Sequence, residues 1–139
     1  MNDKFFVDTN ILVYANDQSD KIKQQVAKEI ILNGIRNDQM VISTQVLSEF
    51  YVTVTQKIKI TLEPKTALYI IELLRSAEIT EIEWSTVIRA IHISQDHKLS
   101  YWDSLIIAAA ISSEAMILYS EDLNHGQLIE DVKIINPFL

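Results

Sequence analysis

A chain of 139 residues, 48% of them hydrophobic and 22% charged, has room for one folded core of ordinary size and is too apolar to be a disordered segment. It holds no cysteine, which excludes disulfides and thiolate metal sites and favours a reducing, intracellular setting. Twelve basic residues against nineteen acidic ones give a formal charge of −7, which argues against a protein held to nucleic acid by a broad basic face. Contact through bound cations and a local basic strip, or with a basic partner, stays open.

From the N-terminus, Met1 to Val7 lacks the basic and apolar regions of a signal peptide, so a cytoplasmic protein is expected. Lys4 to Val7 is a short β-prone run that ends at Asp8, and Thr9 to Ala15 places Ile11, Leu12 and Ala15 at helical spacing. A long helix is predicted from Asp20 to about Ile35, with Ile22, Val26, Ile30 and Ile31 on its inner face and Gly34 and Asn37 at its end. Met40 to Ile42 reads as a second strand. Ser43 or Thr44 can cap a helix running to about Lys57, with Val46, Leu47, Phe50 and Val54 inward. Pro64 suits the first turn of a helix through Leu74, and Ile79 to Ile82 is a third strand. Trp84 to about His97 is a helix, and Ser100 opens another through about Ser113. Met116 to Tyr119 and Val132 to Ile135 complete the strands.

Strands alternating with helices predict an α/β fold in a single domain over residues 1–139. Its centre is a mostly parallel sheet of about five strands with helices on both faces. The stretch Leu105 to Ile111 is apolar all round and is expected to be a buried central helix; it is too short to span a membrane. In open α/β sheets the functional crevice lies beyond the carboxyl ends of the strands. Asp8 and Asp122 both fall just after strands.

Each acidic candidate has an ordinary explanation. Asp8 could cap the helix that begins at Thr9. Asp103, three residues after Ser100, could belong to a capping box. Glu49 could be a solvated flank of its helix, and Asp122 could cap a turn before Asn124-His125-Gly126. Their joint placement is what adds weight, because the topology can bring all four to one cleft. Clustered carboxylates repel, and at least some should have raised pKa values. A hard divalent cation such as Mg²⁺ or Mn²⁺ relieves that repulsion, and it can assist in-line displacement at phosphorus.

Phe6-Val7-Asp8-Thr9-Asn10-Ile11-Leu12, Ser48-Glu49-Phe50, Leu99-Ser100-Tyr101-Trp102-Asp103-Ser104-Leu105-Ile106 and Leu118-Tyr119-Ser120-Glu121-Asp122-Leu123-Asn124-His125-Gly126, in that order, resemble a PIN domain of the VapC toxin kind. The resemblance spans the whole chain. It implies a PIN-like three-layer sandwich and cleavage of RNA phosphodiesters by metal-activated water. It also implies a homodimer and a cognate VapB-type antitoxin. Asp8 and Asp103 would be the central metal ligands, and Glu49 and Asp122 would complete the acidic ring directly or through water. Asn10 and Ser120 match polar positions near the metal and would act from behind the ligands. Glu121 is the fallback for the fourth acid.

A metal-free nuclease would need two converging histidines. His92 and His97, five apart on a helix, are not expected to share a face well, and His125 reads as a loop residue. Lys57 and Lys59, near Tyr51, read as a solvated helix end, with part of an RNA-contacting strip as the alternative. Trp102 reads as a packing anchor rather than a base-stacking platform. No Gly-rich phosphate loop or nucleophile elbow is present. The competing functions are a Mg²⁺-dependent phosphatase, which wants an acid where Asn10 stands, and a non-catalytic partner-binding module.

Overall fold

The computed structural model describes residues 3–139; Met1 and Asn2, part of the N-terminal stretch read above, lie outside the described residues. Strand β1 (Phe5–Val7) leads into helices α1 (Thr9–Ala15) and α2 (Lys21–Arg36). Then come β2 (Met40–Ser43), α3 (Thr44–Gln56), α4 (Pro64–Leu73) with a 3₁₀ turn at Leu74–Ser76, and β3 (Glu78–Thr80). Helices α5 (Trp84–His97) and α6 (Tyr101–Ser112) precede β4 (Ile117–Tyr119), β5 (Leu128–Ile129) and β6 (Val132–Ile135). The strands form one sheet in the order β3-β2-β1-β4-β6-β5, parallel throughout except for the β5–β6 hairpin.

The first four helices connect β1, β2 and β3 as the chain moves outward. Helices α5 and α6 carry it back across the centre to β4. Right-handed crossovers therefore place the two sets on opposite faces, giving three layers. Helix α6 packs against β2, β4 and β6, and every residue from Ser104 to Ala110 is buried, as its all-round apolarity predicts. Among the described residues no helix is long and apolar enough to cross a membrane.

Four expectations need correction. The sheet has six strands, because Leu128–Ile129 pairs with β6 as a two-residue edge strand too short to show a period. Ile22 is 81% exposed rather than inward, whereas Ile30 and Ile31 pack partly buried against the core as expected, beside the buried Ala27 and Gly34. Gly34 does not end that helix: it lies inside it, where a Cβ would stand 2.4 Å from Phe5 Cζ and 2.9 Å from Met40 Cβ. Close approach to β1 and β2 is what demands glycine there, and Asn37 is the C-cap. The third strand is Glu78–Thr80 rather than Ile79 to Ile82, since the chain turns toward α5 after Thr80.

Candidate active site

Strand register brings the first two site residues together. Val7 of β1 is paired with Tyr119 of β4, and the ladder runs one step further as Asp8 N–H donates to Tyr119 O at 3.0 Å. Asp8 and Ser120 thus leave adjacent central strands side by side at the carboxyl edge. Ser120 Oγ donates to Asp8 Oδ2 at 2.7 Å. Asp8 Oδ1 accepts from Thr9 N–H at 2.7 Å, so the residue also caps α1, and Asn10 Nδ2 approaches Oδ2 at 3.4 Å. The side chain is 6% exposed. Burial pushes its pKa up to about 6, and Glu49 and Asp122 add to the rise. The hydrogen bonds from Ser120 and Thr9 pull the other way and do not overcome it.

Glu49 comes from α3. Its Oε1 accepts from Thr9 Oγ1 at 2.7 Å and its Oε2 from Gln45 Nε2 at 3.3 Å. Gln45 also donates to Trp102 O at 3.2 Å, which ties the start of α3 to the start of α6 beside Asp103. Asp103 lies in the first turn of α6. Ser100 Oγ accepts from its N–H at 3.1 Å, so the serine supplies the cap and the Asp103 carboxylate lines the cleft. Asp122 Oδ2 accepts from Asn10 Nδ2 at 3.2 Å, and its own N–H donates to Ser120 Oγ at 3.3 Å. Asn10 is the common brace: its amide reaches Asp8, Ser120 and Asp122, while its Oδ1 accepts from Glu121 N–H at 3.2 Å.

Asp8, Glu49, Asp103 and Asp122 line one cleft of about 750 Å³, together with Thr9, Asn10 and Lys57. Glu121 lines it too, but its carboxylate is spent elsewhere. Oε1 accepts from Tyr14 OH at 2.5 Å, and Oε2 is paired with Lys23 Nζ. Burial pushes the Glu121 pKa up, yet Lys23 and Tyr14 outweigh it and hold the group below its ordinary value. Thr9, Gln45, Tyr14 and Lys23 are the site residues that the sequence reading missed. Gln45 was within reach of it, standing four residues before Glu49 on the same helix face.

Oxygen donors and an ionisable buried carboxylate suit a hard divalent cation. Among the described residues, no three Asp, Glu or His side chains stand close enough to ligate one ion directly. The donor set therefore fits an ion that takes one or two carboxylates and keeps several waters, which is the habit of Mg²⁺.

The remaining candidates fall away from the cleft, with two exceptions. His92 and His97 border a groove along α5 that is not the acidic cleft. His125 Nδ1 accepts from Asn136 N–H at 2.9 Å, a loop contact. Lys57 lines the acidic cleft, whereas Lys59 does not. Trp102 is not a packing anchor: it is 63% exposed and borders the cleft, because α6 buries the face that begins at Ser104.

No curated protein matches the chain in sequence. In structure, it is similar to VapC20 of Mycobacterium tuberculosis, described as a Sarcin-Ricin loop cleaving toxin. The two share 17% identity over 86% of this chain and 90% of that one, with a TM-score of 0.70. It is similar to a toxin–antitoxin complex from Klebsiella pneumoniae, with 20% identity, 96% and 98% coverage and a TM-score of 0.70. It also resembles DNA-bound VapBC from Salmonella typhimurium, with 19% identity, 96% and 97% coverage and a TM-score of 0.67. At these identities the likeness speaks for the fold. The family model described as PIN domain matches residues 5–129, which contain β1, the acidic cleft and every strand but β6, and the chain belongs to that family.

Proposed function

We propose that this protein is a metal-dependent endoribonuclease, the toxin of a type II toxin–antitoxin pair, acting in the cytoplasm. The observation that carries the reading is the single cleft at the carboxyl edge of the sheet. There Asp8 is buried and braced by three donors, with Glu49, Asp103 and Asp122 around it. PIN-domain nucleases generally use divalent metal ions; Mg²⁺ or Mn²⁺ fits this oxygen donor set. Asp8 and Asp103 would hold the ion, with Glu49 and Asp122 completing the acidic ring. When bound, the ion supplies Lewis acidity toward water and a phosphoryl oxygen.

The chain's own residues do the positioning. Thr9 Oγ1 aims Glu49, Asn10 Nδ2 aims Asp122, and Ser120 Oγ fixes Asp8 Oδ2. Such braces matter because a displacement of about 1 Å can cost roughly 100-fold in rate. Lys57 brings positive charge into an otherwise acidic cleft and suits an RNA backbone. A VapB-type antitoxin as partner and a homodimer as the assembled form complete the proposal; the toxin–antitoxin complexes among the similar structures support the partner.

Purified protein should cut RNA with Mg²⁺ or Mn²⁺ and stop in excess EDTA. Asp8→Asn and Asp103→Asn should each lose at least about 100-fold in rate, because each removes a ligand charge that acts on the transition state. Undiminished cleavage by either variant, measured on a labelled RNA under single-turnover conditions, would overturn the assignment.

A further inference from the structure

Trp102 is the most solvent-exposed aromatic residue at the cleft, at 63%, and has an aromatic neighbour beside it. Its ring meets Tyr101 edge to face, with centroids 5.1 Å apart and planes at 74°. Its carbonyl oxygen is fixed by Gln45 Nε2 at 3.2 Å. The indole stands on the wall between the acidic cleft and a second groove of about 510 Å³, bordered by Thr44, Gln45, Ile82, Trp102 and Leu105. Ser48, Glu49 and Trp102 line both, so the groove opens directly off the cleft. It contains one charged side chain, Glu49, and otherwise apolar and neutral polar ones.

That arrangement has the chemistry of a nucleotide. A phosphate over the acidic cleft leaves its base to find a flat apolar partner, and an exposed indole is the largest such partner a protein offers. Gln45 is spent on the wall itself: its amide NH₂ is committed to two acceptors, Glu49 Oε2 and Trp102 O, and its Oε1 is buried. The exposed indole is thus the recognition surface that the groove offers a base. The larger purine ring covers more of the indole than a pyrimidine does.

We propose that the groove beside Trp102 is a purine subsite, which stacks one unpaired base of the RNA next to the phosphate bound in the cleft. The inference rests on the nuclease reading for the nature of its ligand. It is read by binding alone, so that a failure to cut RNA and a failure to stack a base are told apart.

The test uses Trp84→Phe protein, which leaves Trp102 as the one tryptophan of the two in the chain. In Mg²⁺ it is titrated with AMP, UMP and ribose 5-phosphate while indole fluorescence is followed. Saturable quenching by AMP is expected, several-fold tighter than by UMP, with ribose 5-phosphate competing but not quenching. In calorimetry, Trp102→Ala should bind AMP about ten-fold more weakly. Its affinity for ribose 5-phosphate should not change, and Trp102→Phe should fall between. AMP binding no tighter than ribose 5-phosphate, or an equal loss for both ligands in Trp102→Ala, would overturn the subsite. Since Trp102 is largely exposed, these variants keep the core intact.

Discussion

Asp8 caps a helix and faces a cleft with the same two oxygens, and its titration records the conflict. Burial raises its folded-state pKa to about 6 from an ordinary 3.8. A carboxyl group raised on folding favours the folded state when protonated. Its contribution is fully present below pH 3.8 and is lost as pH rises through about 6. At about 1.4 kcal/mol per pKa unit, the metal-free protein should forfeit about 3 kcal/mol from this group over that range. The measurement is the stability difference between wild type and Asp8→Asn in urea. It should move in favour of the variant by about that amount between pH 3.5 and pH 7 (a pH range set by the reference pKa and the shifted one). A difference independent of pH would remove Asp8 as a strained carboxylate. At the same scale, Glu121 shows how a neighbouring acid is kept out of the ring, since Lys23 and Tyr14 already satisfy it.

Helix α2 makes the corresponding case for whole elements. Its contact with the sheet depends on Gly34, so Gly34→Ala gains helix propensity of about 1 kcal/mol but must push Met40 Cβ, which belongs to β2 and cannot rotate away. The expected net loss is about 1–2 kcal/mol, seen as a lower urea midpoint with an unchanged slope. Sequence periodicity could not reveal this. A helix whose closest approach to the sheet is made by alanine and glycine buries Ile30 and Ile31 only in part and leaves Ile22 exposed, and small contact residues carry no apolar signal. Elsewhere the elements were legible. Helix α5 begins at Trp84 and ends at His97, α1 spans Thr9 to Ala15, and Ser43 and Ser100 are caps whose hydroxyls accept from Val46 and Asp103 N–H. Strand β5 was not, because two residues carry no alternation. Asp8 and Asp122 could be picked out by their places after strands and Asp103 by its place at a helix start, whereas Glu49, in mid-helix, was legible only through the family resemblance. The braces Thr9 and Gln45 could not be ranked without knowing which helix ends meet.

For the molecule as a whole, charge and cleft act together. A chain of net charge −7 concentrates acid at the edge of its sheet, and a cation bound there stabilises the folded state alone. Mg²⁺ at 100 times its dissociation constant should add about 2.7 kcal/mol, a rise of several degrees in the thermal midpoint, and Asp8→Asn should show little of it. Equal rises in both proteins would mean that the ion binds somewhere else.

The strand order carries one more consequence. β1 lies between β2 and β4, so the earliest strand made waits for one of the latest, and Asp8 lacks Ser120 and Asp122 until residues beyond 119 have been added. With the chain present only as far as residue 100, Asp103 and Asp122 are both missing from the cleft. The acidic cleft is therefore assembled from stretches more than a hundred residues apart, and a chain that stops short of residue 122 holds only part of its set.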